Sequence, residues 1–136
     1  MNFKKFAYIF GGFYILLALA SVYPNDIIGH NAFLSTDFLH NFIHLLIGFV
    51  LVGIALWDND EHFSLPRVIR TIGGVLIVLA VFGAWFTGLD IGKIMGLITV
   101  NGTANILHLI TGVLCIVVGT SPLRNYRKGD GVMHSH

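Results

Sequence analysis

A chain of 136 residues that is 55% apolar and only 11% charged, with a mean hydropathy of +0.80, is one domain at most. Soluble domains keep roughly a quarter of their residues charged, so this is a membrane composition. The net charge of +1, with no lysine or arginine cluster, excludes a strongly basic nucleic-acid binder. The single cysteine, Cys115, lies in an apolar run, forms no intramolecular disulfide and reads as a small packing residue.

The first apolar run is Phe6 to Tyr23, preceded by Lys4 and Lys5. It is about long enough to span the hydrocarbon core. The basic start and the Ala18-Leu19-Ala20 pattern also fit a cleaved signal peptide. A retained helix is the better reading, because this run has a counterpart later in the chain. Pro24-Asn25-Asp26 brings turn chemistry, and Ala32-Phe33-Leu34 is expected to lie along the membrane surface. Ser35-Thr36-Asp37 supplies N-cap residues for a second helix, about Phe38 to Trp57. After an acidic loop with Asp58, Asp60, Glu61 and Pro66, a third helix is predicted over about Val68 to Leu89. A second long loop, Asp90 to Asn101, has its own apolar piece, Ile94 to Val100. The fourth helix is predicted over about Thr103 to Thr120, and Pro122 ends it. Residues 1–123 are thus one four-helix transmembrane domain, and the polar tail 124–136 is expected to be disordered.

Basic residues set the expected orientation. Lys4, Lys5, Arg67, Arg70, Arg124, Arg127 and Lys128 fall on one side of a four-span arrangement, and Lys93 on the other. Both termini are therefore predicted to be cytoplasmic. Tyr23, Trp57 and Trp85 near the helix ends suit the interface.

The chain also repeats itself. Gly11-Gly12 matches Gly73-Gly74, Leu17-Ala18 matches Leu79-Ala80, and Ile28-Gly29 matches Ile91-Gly92. Asn41, His44, Leu45 and Gly48 match Asn105, His108, Leu109 and Gly112. The expected fold is all-α: a four-helix membrane bundle made by tandem duplication of a two-helix hairpin, with repeats at about 6–57 and 68–120. Two units of two spans each should be related by an axis along the membrane normal. Asn41, His44, Gly48, Leu51 and Ala55 fall on one stripe, as do Asn105, His108, Gly112, Cys115 and Gly119. Each of His44 and His108 lies roughly 9 Å from the start of its helix, so the two sit at equal depth. Lipid satisfies neither imidazole nor amide, so both stripes are predicted to face the bundle interior. Gly11, Gly12, Gly48, Gly73, Gly74 and Gly112 are the expected close-packing positions.

The segments Leu39-His40-Asn41-Phe42-Ile43-His44-Leu45-Leu46-Ile47-Gly48 and Val100-Asn101-Gly102-Thr103-Ala104-Asn105-Ile106-Leu107-His108-Leu109 resemble the two signature blocks of a family of small bacterial four-helix membrane proteins, domain of unknown function 4383. The resemblance runs from helix one to helix four, with matches at Asn41, His44, Gly48, Asn105, His108 and Gly112. It implies a multi-pass protein of the bacterial inner membrane and supplies no activity.

Three roles for the histidines follow. In the leading one, each bonds an asparagine or backbone carbonyl of the other repeat and fixes how the hairpins dock, making this a structural or interaction protein that partners the lipid bilayer, a second copy or another membrane protein. The alternative is a small-molecule or ion binding or transport site between the repeats, with His40, His44 and His108 lining an outward-open polar cavity below Asp37. A further alternative is haem held axially by His44 and His108; otherwise no cofactor is expected. A metal site from His30, Asp37, His40 and His44 is weaker, because His30 sits on a loop of unknown path, and no metal is expected. The chain has no G-x-S-x-G elbow, H-E-x-x-H pair or phosphate-cradling glycine loop, which argues against an enzyme.

Overall fold

The computed structural model describes residues 2–57, 64–88 and 90–121. The acidic stretch Asp58 to Glu61 and the tail 124–136 lie outside them. The described chain is mostly helical, with α1 (Phe3–Ala20), α2 (Phe38–Trp57), α3 (Leu65–Thr87) and α4 (Gly102–Gly119). All four are long and apolar enough to cross a membrane. Two short strand pairs fill the connections. β1 (Ile28–Gly29) runs parallel to β2 (Leu34–Ser35), and β3 (Gly92–Ile94) forms an antiparallel hairpin with β4 (Ile98–Val100).

Helix starts follow local capping chemistry. The Asn2 side chain accepts the Lys5 N–H at 2.8 Å, Asp37 accepts the His40 N–H at 2.9 Å, and Asn101 accepts the Ala104 N–H at 2.9 Å. Pro66 occupies the first turn of α3, where a missing N–H costs nothing. Because Asn2 and Pro66 lie upstream of the apolar runs, α1 and α3 each begin three residues before the apolar pattern does. α1 also stops at Ala20 rather than Tyr23. The Asn25 amide donates to the Ala20 and Tyr23 carbonyls, while its oxygen accepts the N–H groups of Ile27 and Ile28.

The helices pack as two tight pairs, α1 on α2 and α3 on α4. A Cβ placed at Gly11 would stand 2.9 Å from the Gly48 carbonyl oxygen, and one at Gly73 would stand 2.7 Å from that of Gly112. Only glycine lets the backbones come this close. Gly12 and Gly74 face open space instead. The paired helices meet around a core of Tyr14, Leu51, Ile69, Leu76 and Cys115, all fully buried. Leu16, Phe49, Val81, Trp85 and Val117 point outward and are exposed, which suits a hydrocarbon surrounding.

Both long connections lie at one end of the bundle. Ile28, Leu34, Ile94, Val100 and Ala104 form a second apolar cluster there. Asn101 ties the two connections together, donating to the Phe33 carbonyl at 3.0 Å and to the Ser35 hydroxyl at 3.3 Å. At the other end, Arg70 on α3 donates to the Gly119 carbonyl at 3.0 Å and so caps the last turn of α4.

Candidate functional site

Three histidine rings meet directly beneath the strand pairs. His40 and His44 are one helical turn apart on α2 and so share a face; His108 reaches them from α4. All three are 2% exposed. The Nε2 atom of His108 lies 3.3 Å from that of His40 and 3.5 Å from that of His44. One nitrogen from each ring lies within 4.8 Å of the others.

The orientation of His40 is enforced. Its Nδ1 lies 2.6 Å from the carbonyl oxygen of Thr99 on β4. A carbonyl only accepts, so Nδ1 carries the proton, and in the neutral ring Nε2 turns a bare lone pair toward His44 and His108. Thr99 is itself anchored by Asp37, whose Oδ2 accepts the Thr99 N–H at 2.9 Å and its hydroxyl at 2.8 Å. Lys93 on β3 adds an ion pair to the same carboxylate at 3.8 Å. Burial pushes the Asp37 carboxyl up, but the donors from His40 and Thr99 outweigh it and hold the group below the ordinary value of 3.8.

Below the rings, Tyr14 on α1 stacks edge-on against His44 with centroids 5.1 Å apart. The Thr111 hydroxyl donates to the Leu107 carbonyl at 2.7 Å, so at 2.8 Å the Tyr14 hydroxyl is the donor to Thr111. The remaining wall is apolar, made by Ile43, Ile47, Leu76, Leu79, Ile98 and Val100. The space enclosed among these groups is about 10 Å³, at the lower bound for one water. The outward-open polar cavity expected from the sequence is in fact small, greasy-walled and roofed by the β3–β4 hairpin.

The asparagines lie elsewhere. Asn41 is half-buried beside the stripe and lines a separate cavity of about 560 Å³ with Thr36, Asp37, Phe42 and the exposed His30. The buried stripe of α2 therefore starts at His40, because spacings of three and four are both helical and the register favours the latter. Asn105 is buried, donates to the Thr87 hydroxyl at 3.4 Å and lines a cavity of about 210 Å³ with Gly102, Ile106 and Leu109. Neither asparagine meets a histidine ring of the other helix pair. The side-chain oxygens of both, and Nδ1 of His44 and of His108, are buried without a protein partner among the described residues. His30 does not join the cluster, and His108 completes it instead. Thr99 and Lys93 carry no sequence signal for this role, since Thr99 acts on the ring through a backbone carbonyl.

Comparison of the chain with protein-family models, with curated proteins and with solved structures gives no match.

Proposed function

We propose that this chain is a small multi-pass protein of the bacterial inner membrane, with both termini cytoplasmic, that holds a transition-metal ion on His40, His44 and His108 between two duplicated helical hairpins. One observation carries the metal. Imidazole nitrogens bound tetrahedrally to a first-row ion at about 2.05 Å stand about 3.3 to 3.4 Å apart; His108 Nε2 lies at 3.3 Å from that of His40 and 3.5 Å from that of His44, with one nitrogen of each ring within 4.8 Å of the others.

Hydrogen bonding alone uses the site less well. A single proton on His108 Nε2 serves one neighbouring lone pair directly, whereas an ion engages all three. The Asp37–Thr99–His40 chain is the kind of outer support that fixes the tautomer and aim of a metal-binding histidine. The space of about 10 Å³ favours an ion over the haem alternative, which needs room for a flat macrocycle. Docking of the hairpins, through the His40–Thr99 bond and the His40–His108 contact, accompanies the same arrangement. The tandem duplication is supported by paired features: Gly11 against Gly48 recurs as Gly73 against Gly112, and the Asp37 cap recurs as Asn101. Kinship with the family of unknown function 4383 rests on the two sequence blocks and adds no activity.

The test is elemental analysis of the full chain purified in mild detergent without chelators. One metal equivalent per chain, absent from the His44→Ala and His108→Ala variants, is the expected result. A wild-type protein that neither carries nor takes up any first-row metal would exclude the proposal.

A further inference from the structure

The surroundings of the three rings also constrain the charge of the ion. We infer that the site, taken as the metal site proposed above, selects monovalent copper, Cu(I), over divalent ions.

Three features point the same way. The ligand set is neutral: three imidazoles and, among the described residues, no carboxylate or thiolate in the cluster. The nearest anion among the described residues, Asp37, reaches His40 through a backbone N–H and through Thr99, and it already has Lys93 as a partner. A bound ion therefore keeps its whole charge in an apolar setting. The cost of desolvating an ion rises with the square of its charge, so a divalent ion carries about four times the penalty of a monovalent one.

The second feature is ligand number. Zn(II) held by three protein ligands takes a water or substrate as its fourth. Here Ile43, Ile47, Leu76, Leu79, Ile98 and Val100 wall the remaining directions, and the free space of about 10 Å³, only at the lower bound for a water, leaves little room for that fourth ligand. Cu(I), with half the charge of Zn(II), is content with three nitrogens and needs no fourth ligand. The third feature is donor type. It excludes the hard ions, since Mg(II), Ca(II) and Mn(II) need oxygen ligands while imidazole suits zinc, copper, iron and nickel alike, and it leaves the choice among these to charge and ligand number. Burial without an anion also disfavours Cu(II), so bound copper should resist oxidation by air.

The test uses the full chain in nanodiscs of phosphatidylethanolamine and phosphatidylglycerol. Metal-free protein is incubated anaerobically with equal, excess Cu(I) and Zn(II), desalted and analysed. About one copper per chain, with zinc at a tenth of that or less, is expected. X-ray absorption should then give three nitrogen neighbours at about 2 Å, and the sample should stay silent in electron paramagnetic resonance after exposure to air. The spectroscopic readouts use wild-type protein, so they do not depend on how a histidine variant folds. The His30→Ala variant should bind as wild type does. Zinc retained at parity or in excess, or a Cu(II) signal developing in air, would overturn the selectivity and leave the three-histidine metal site standing. Retention of neither metal would remove both.

Discussion

Asp37 and His40 are linked twice, once through the His40 backbone N–H on Oδ1 at 2.9 Å and once through Thr99. The Thr99 N–H and hydroxyl both hold Oδ2 of the carboxylate, while the Thr99 carbonyl takes the proton of the His40 ring. The Asp37→Asn variant replaces a doubly accepting oxygen pair with a single carbonyl and loosens Thr99. Metal affinity is expected to fall about tenfold, in line with losses of supporting groups around metal-bound histidine. A chelator-competition titration measures it, and an unchanged affinity would show that the ring is aimed without Thr99.

The same carboxylate gives the protein an acid limit. Its donors hold the folded-state value below 3.8, so the folded protein takes up this proton less readily than the unfolded chain. Ionised Asp37 therefore stabilises the fold above that value, and the contribution disappears as pH falls through the lower, folded-state value. Thermal unfolding in detergent between about pH 2.5 and 6 should show a steeper acid decline for wild type than for Asp37→Asn. Parallel curves would remove Asp37 from the acid response.

Adjacent glycines on α3 make a sharp pair. A methyl at Gly73 would stand 2.7 Å from the Gly112 carbonyl oxygen and 2.8 Å from Cys115 Cβ, whereas at Gly74 it meets nothing within 4 Å. Gly73→Ala is expected to cost about 1 to 3 kcal/mol, as overpacking does. Gly74→Ala should stay within about 0.5 kcal/mol of wild type. Equal effects in a denaturation assay in micelles would contradict the close α3–α4 approach.

Tyr14→Phe deletes the hydroxyl that α1 donates to Thr111 on α4, while Thr111 keeps its own bond to Leu107. The ring and its contact with His44 remain. The expected loss is about 1 kcal/mol of stability, with metal stoichiometry unchanged. Reversible unfolding in mixed micelles reads the first, and elemental analysis the second.

The long elements were legible because apolar runs bounded by caps are strong signals. α2 falls at Phe38–Trp57, the bounds its Asp37 cap and apolar run predict. The meeting of His44 with His108 follows from equal spacing in two matching segments. The strand pairs were not legible, since strands of two and three residues are too short to show alternation. Spacing of three before His44 places Asn41 on the buried face, but His40, four before, takes that place. The acceptor that aims His40 is a backbone carbonyl, and every residue has one, so composition does not mark it.

The glycine contacts lie within the helix pairs, α1 with α2 and α3 with α4, and this makes the molecule severable. In lipid, apolar surface gains little by meeting other apolar surface. A chain cut between Trp57 and Ser64 would leave two hairpins, each complete in its own backbone-to-backbone seam. What would bring them back together is the short polar set of His40, His44 and His108, Tyr14 with Thr111, Asp37 with Thr99 and Lys93, and Asn101 with Phe33 and Ser35. Half-proteins expressed together would then recombine through these few polar links, and with an ion on the three histidines, as proposed above, recombination would become stronger when that ion is supplied.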